Sequence, residues 1–221
     1  MTRNELLQFL AERILRIQKN CPVLIGIDGV DASGKTTLAD ELAKYLKNSN
    51  RNIIKASIDG FHNPKKKRYT KGNNSPEGYY YNSFNYEAIA KVLLNPLSTG
   101  NFEYKTAVFD YRTDSEVFLP TQKAINDSIL IMEGIFLFRP ELIKYWDLKI
   151  FLDVDFKITV QRAIKRAAER KPINSEQEII DKYNDRYIPG QKLYFKEVNP
   201  KYKSDIVIDN SEFEKPKIIK K

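Results

Sequence analysis

Gly29-Val30-Asp31-Ala32-Ser33-Gly34-Lys35-Thr36 is the stretch on which the reading of this 221-residue chain turns. It matches the pattern G-x-x-x-x-G-K-[ST]. Its glycines permit tight, partly left-handed backbone, so consecutive N–H groups can converge on phosphate oxygens. A helix opening near Lys35 aims its positive end at the same anion. Lys35 is placed to reach the β- and γ-phosphates, and the Thr36 hydroxyl to ligate Mg²⁺. The candidate nucleotide-binding set is therefore Gly29, Val30, Asp31, Ala32, Ser33, Gly34, Lys35 and Thr36, with Thr37 behind them.

The flanks fit that loop. Val23 to Ile27 is a short apolar run of the kind a buried parallel strand shows. After the loop, Leu38, Leu42, Tyr45 and Leu46 recur at helical spacing. Before the strand, Leu6, Leu10, Ile14 and Ile17 share one face of an N-terminal helix over 1–20, with Thr2 and Glu5 at capping-box spacing. Further strands are expected over Asn52–Ile58, Ser128–Met132, Leu148–Val154 and Ser204–Ile208, and a strand outside the main sheet over Tyr104–Asp110. Helices are expected over Asn85–Leu94, ending near Pro96, and over Lys157–Arg170 with Val160, Ile164 and Ala167 inward. Residues 61–83, rich in Pro, Gly and Asn, read as one long loop. Strands alternating with helices give an α/β fold, a doubly wound parallel sheet. Ligands of such sheets sit at the carboxyl ends of the strands, which here carry Asp28, Asp59, Glu133 and Asp155.

Composition bounds the function. The chain holds 37 Lys and Arg against 29 Asp and Glu, a balance of +8 that suits polyanionic partners without choosing among them. One cysteine, Cys21, rules out an internal disulfide framework, and one histidine, His62, argues against a His-rich metal centre. No segment has the apolar length of a membrane span, and charges run through residues 1–20, so no signal peptide is read there. With the single unpaired cysteine, this points to the cytoplasm and to no membrane partner. No N-K-x-D guanine motif and no ABC-type signature is found.

The motif set resembles a family. The phosphate loop, Ser57-Ile58-Asp59-Gly60-Phe61-His62, Phe109-Asp110-Tyr111 and Glu133-Gly134-Ile135-Phe136 occur in the order found in uridine kinase-like P-loop kinases, relatives of phosphoribulokinase and pantothenate kinase. The resemblance covers about residues 20–210. It implies the P-loop nucleoside triphosphate hydrolase/kinase fold with a helical lid, in one domain over 1–221, with 61–83 on the acceptor side and a lid region over 157–190. It implies ATP and Mg²⁺ as cofactors and a small-molecule hydroxyl acceptor, a nucleoside first. Asp59 maps to the family's base for the acceptor hydroxyl. Thr36 and Glu133 fall on the Mg²⁺ side, with the division between Asp59 and Glu133 open. Phe109 and Tyr111 match the family's acceptor-packing aromatics with the rings exchanged, although aromatics two apart on a strand also serve a core face.

The departures lie on the acceptor side. Asp114 stands where uridine kinases carry the His that reads the uracil edge. His62, a candidate on the substrate side, replaces a Tyr, and only Asn82 and Asn85 lie near the position of a ribose-holding Asp. Arg162, Arg166 and Arg170 fall at i, i+4 and i+8 on one helical face. Lid arginines in such kinases grip phosphates, which makes Arg166 and Arg170 candidates, with Arg186 a third on the substrate side. A solvated basic face is the other reading, and the run Lys65–Lys71 reads as a solvated loop. A non-nucleoside alcohol such as pantothenate is the alternative acceptor. A nucleotide-sensing or RNA-binding protein is the reading from another class, but no RNA-binding motif supports nucleic acid as a partner. Homo-oligomer formation is left open.

Overall fold

The computed structural model describes residues 1–169 and 175–221. The chain begins α1 (Arg3–Leu15), β1 (Val23–Gly29), α2 (Lys35–Leu46) and β2 (Ile53–Ser57). Short helices α3 (Lys65–Arg68), α4 (Pro76–Asn82), α5 (Tyr86–Ile89) and α6 (Asn95–Thr99) follow, the last two joined through a π-helical turn over Ala90–Leu94. Four two-residue strands come next: β3 (Glu103–Tyr104), β4 (Phe109–Asp110), β5 (Ser115–Glu116) and β6 (Gln122–Lys123). The chain then runs β7 (Ile129–Glu133), β8 (Leu148–Asp153), α7 (Phe156–Glu169), α8 (Glu176–Lys182), α9 (Ile188–Val198), α10 (Pro200–Lys203), β9 (Ile206–Asp209) and β10 (Lys217–Lys220). A second π turn, Tyr183–Tyr187, joins α8 to α9.

The main sheet has the order β10-β9-β8-β1-β7-β2. Its pairs are parallel except β9–β10, which is antiparallel. β1 is central, and the chain winds to one side through β2 and β7 and to the other through β8 and β9. The strand order thus reverses beside β1, where a doubly wound sheet opens a crevice. Alternation along the strands makes two cores. Val23, Ile25, Ile27, Ile129 and Ile131 pack with Leu6, Leu10 and Ile14 of α1 and Leu38 and Leu42 of α2. Leu24, Leu130 and Met132 face the other way, toward Phe136, Trp146 and Tyr194.

Four expectations change. The segment 61–83 holds helices α3 and α4, and α4 starts where the Ser75 hydroxyl accepts from the Gly78 N–H with Pro76 in the first turn. The helix expected to end near Pro96 continues to Thr99, because Pro96 sits in the first turn of α6 where a missing N–H costs little. The buried positions of α7 are Thr159 and Ala163, whereas Val160, Ile164 and Ala167 are half-buried, since α7 also packs against α8. The residues expected outside the sheet form two small antiparallel pairs, β3 with β6 and β4 with β5. Among the described residues, no helix is long and apolar enough to cross a membrane.

Candidate active site

The loop between β1 and α2 is held open toward the sheet's carboxyl edge. Gly34 takes φ 96°, and a Cβ there would lie 2.7 Å from Asn210 Nδ2, so this position needs glycine twice over. The Ser33 N–H donates to the Val30 carbonyl (3.2 Å), and the Asp31 N–H donates to Gln191 Oε1 (2.8 Å). Lys35 Nζ folds back onto the Val30 carbonyl at 2.7 Å. The first turn of α2 has no side-chain cap and no acidic residue. Its N–H groups lack intrahelical partners, which suits an anion. Ser33 Oγ is buried with no hydrogen-bond partner among the described residues. These donors fit a polyphosphate.

Carboxylates face that loop from neighbouring strands. Glu133 is the last residue of β7 and is buried. Burial raises its pKa, and the Ser57 and Thr36 hydroxyls and the Lys35 charge pull it back. Asp59 follows β2 on a 3₁₀ turn, Ile58–Phe61, that Ser57 caps. Its side chain is 59% exposed and lines the same cavity as Lys35 and Thr36. Partial desolvation beside the neighbouring strand ends and the Asp31 charge raise its pKa, while Lys35, Arg112 and Arg166 oppose the rise. Thr36, Asp59 and Glu133 are hard oxygen donors, the type Mg²⁺ takes alongside phosphate oxygens. His62 Nδ1 donates to the Asp59 carbonyl at 3.0 Å. Burial lowers its pKa to about 4, so the ring is neutral at pH 7. It packs on Phe84 and Tyr111, with ring centroids 4.5 and 4.8 Å away.

One cavity of about 860 Å³ gathers most of the residues named from sequence. Asp31, Ala32, Gly34, Lys35, Thr36 and Thr37 line it, as do Asp59, His62, Tyr111, Glu133 and Arg166. Gly29, the last residue of β1, and Val30 and Ser33 of the loop do not line it. Phe109 is buried and does not line it either, whereas Tyr111, just past β4, does. Arg186 corrects the expectation of a substrate contact. It is 2% exposed, and its guanidinium donates to the carbonyls of Arg68, Gly72, Asn73 and Ser75. That use clamps the 68–75 turn, and Arg186 does not line the cavity. Arg170 lies outside the described residues.

The other acceptor-side positions have local roles. Asp114 accepts from the Lys65 N–H (2.8 Å) and pairs with Arg68 Nη2 (3.1 Å), away from the cavity lining. Asn85 caps α5, and Asn82 donates to Thr70. Of the run read as a solvated loop, Lys65, Lys66, Lys67 and Lys71 are exposed, but residues 65–68 are helical and Arg68 is buried against Asp114.

Several cavity residues were not singled out as site groups, among them Phe84, Arg112, Arg162, Asn210 and Phe213. Arg162 had a visible signal, four residues before Arg166 on one helical face. Its Nη2 donates to the carbonyls of Asn210 and Ser211, both at 2.8 Å. Arg112 has no carboxylate within 4.0 Å among the described residues and lies 5.7 Å from the Tyr111 ring centroid. Asn210 and Phe213 lie too far along the chain from the phosphate loop for spacing to reveal them.

A phosphate-binding loop at a switch point, with carboxylates from the two adjacent strand ends and an arginine from a covering helix, defines the P-loop kinase fold. Solved structures agree on the fold. A possible uridine kinase from Bacillus stearothermophilus superposes with TM-score 0.73 at 24% identity, over 92% of this chain and 97% of that one. D-glycerate 3-kinase from Cryptococcus neoformans superposes with TM-score 0.60 at 12% identity, over 85% and 88%. The Phosphoribulokinase / Uridine kinase family model matches residues 24–213, and the chain belongs to that family. It is 28% identical to the uridine kinase of Ligilactobacillus salivarius, over 86% of both chains. It is 30% identical to uridine-cytidine kinase A of Dictyostelium discoideum over 86% of this chain, which spans only 38% of that relative's length.

Proposed function

We propose that this chain transfers the γ-phosphoryl group of ATP, with Mg²⁺, to a hydroxyl group of a nucleoside. The observation that carries the reading is the convergence of Lys35, Thr36, Asp59 and Glu133 on one cavity, with an aromatic wall of Phe84 and Tyr111 beyond Asp59. Kinase relatives named for uridine and cytidine support the acceptor class.

The chain's own groups have separate tasks. Gly34 and the uncapped turn of α2 orient the phosphates through N–H donors. Lys35 leaves the Val30 carbonyl to meet the terminal phosphates, and Arg166 offsets charge developing there. Thr36 and Glu133, with Asp59 beside them, would hold Mg²⁺, which when bound neutralises phosphate charge. Asp59 orients the acceptor hydroxyl and accepts its proton as oxygen bonds to phosphorus and the bond to the β-phosphate oxygen breaks. His62, neutral and packed between Phe84 and Tyr111, sets the width of the acceptor end. Phosphoryl transfer needs positioning and charge neutralisation more than a strong base, and these residues suit that demand.

One observation favours a second acceptor class. The position that reads uracil in the resembling family is Asp114, which is spent on Arg68 and the Lys65 N–H. Arg112, without a carboxylate partner, faces the cavity instead. A non-nucleoside alcohol is the acceptor this would suit. A thermal-shift series with a non-hydrolysable ATP analogue, Mg²⁺ and candidate acceptors separates the two, because a true acceptor stabilises the fold by mass action. Uridine or cytidine should raise Tm beyond the analogue alone. Stabilisation by pantothenate or another alcohol, with none by nucleosides, would select the second class.

A further inference from the structure

The helix α1 precedes the family match, which begins at residue 24, yet it delivers a buried charge to the cavity wall. Arg3 is the first residue of α1 and 8% exposed. A cation there opposes the helix dipole, so the local preference does not explain it. Tertiary contacts do. Arg3 Nε donates to Glu41 Oε2 of α2 at 2.8 Å, and Nη2 lies 2.8 Å from the same oxygen. Arg3 Nη1 donates to Asn210 Oδ1 at 3.1 Å. Its guanidinium carbon lies 4.6 Å from the centroid of the Phe213 ring. Asn210 and Phe213 both line the cavity.

The place of these two residues says what they face. Asp59, His62 and Tyr111 occupy the acceptor end, so the γ-phosphate points that way. The rest of a nucleotide then extends past Gly34 and Thr37, toward Asn210 and Phe213. Asn210 sits directly against Gly34. Its Nδ2 donates to the Ser33 carbonyl at 2.7 Å, and its N–H donates to the Asp153 carbonyl at 3.0 Å. Phe213 is 37% exposed. A guanidinium near an aromatic ring is attracted by the quadrupole of its face and fixes the ring's orientation.

We propose that α1 is part of the nucleotide site: Arg3 is a positioning residue that holds Phe213 and Asn210 as the wall receiving the nucleotide's base. The proposal rests on the reading of this cavity as a nucleoside triphosphate site. Arg3 fixes the wall and makes no contact with phosphate. The phosphate loop keeps its own support, because Asn210 stays bonded to Ser33 and Asp153 when Arg3 is removed. Lysine cannot replace Arg3 in full, since one ammonium lacks the planar fork that reaches Glu41, Asn210 and Phe213 together.

The test compares a ligand that has a base with one that lacks it. Titrate the full chain calorimetrically, with Mg²⁺, using a non-hydrolysable ATP analogue and inorganic tripolyphosphate. The wild type should bind the ATP analogue more tightly. Arg3→Ala and Phe213→Ala should each weaken the analogue about tenfold, the scale of one lost base-stacking contact. Both should leave tripolyphosphate affinity within about twofold, and Arg3→Lys should fall between. Equal weakening of both ligands, as a structural role would give, overturns the proposal, and so does no weakening of either. A wild type that binds tripolyphosphate as tightly as the analogue also overturns it, while leaving phosphate binding intact. A wild type that binds neither removes the nucleotide reading itself. If Arg3→Ala does not fold, Phe213→Ala and Arg3→Lys carry the same comparison.

Discussion

Replacing Asp28 with asparagine tests how the floor of the phosphate loop is built. Asp28 is fully buried at the end of β1. Its Oδ1 accepts from the Gly29 N–H at 2.6 Å, and its Oδ2 accepts from the Tyr194 hydroxyl and from the Phe138 N–H at 3.3 Å. These donors and the Lys35 charge favour the carboxylate, but burial outweighs them and lifts the pKa from 3.8 to about 6. At about 1.4 kcal/mol per pH unit, that rise corresponds to about 3 kcal/mol. The folded carboxyl holds its proton more tightly than the unfolded one. Its stabilising contribution is therefore fully present below pH 3.8 and is lost as pH rises through 6. Asparagine has no such titration. Urea unfolding of wild type and Asp28→Asn at half-unit steps from pH 4 to pH 7.5 should show the variant gaining about 2.4 kcal/mol relative to wild type, the part of the effect that falls inside that window. A flat difference, or a wild type that gains on the variant as pH rises, would refute the claim that burial dominates the three donors.

Three further outcomes follow from the same site. Gly134→Ala should cost about 1–3 kcal/mol, because its Cβ would lie 2.6 Å from Ile58 Cβ, and thermal unfolding with Ile58→Ala as partner should recover part of the loss. Lys35→Ala should lower turnover by at least about 10²-fold with the far-UV circular dichroism unchanged. Asp59→Asn should lower kcat by about 10² to 10⁴-fold. Activity that needs ionised Asp59 rises with pH through a pKa above 3.8, and the variant's pH–rate profile should lose that acid limb.

What the sequence made legible was local. The phosphate loop announces itself because its glycines, lysine and threonine must be contiguous to surround one anion. Strands β1, β2, β7 and β8 were visible as apolar runs ending in carboxylates. The helix α4 carried a start signal in Ser75-Pro76 that the surrounding Gly and Asn obscured. Arg186 misled because a guanidinium has the same sequence signature whether it grips a ligand or four backbone carbonyls. Only the fold decides which. The wall made by Arg3, Asn210 and Phe213 joins the two ends of the chain, and no spacing rule reaches across 207 residues. The antiparallel β10 was missed for a related reason. Lys217-Ile218-Ile219-Lys220 is a short edge strand whose partner, β9, decides it.

The most direct test of the central claim is transfer itself. Incubate the purified chain with ATP labelled at the γ-phosphate, Mg²⁺ and, separately, uridine, cytidine, pantothenate and small polyols. Then follow label into a phosphomonoester by chromatography. The account predicts acceptor-dependent label on a hydroxyl of one of these molecules, lost in Lys35→Ala and Asp59→Asn. A folded chain that binds ATP yet transfers label to none of them, or releases only inorganic phosphate at the same rate with and without acceptor, would contradict it.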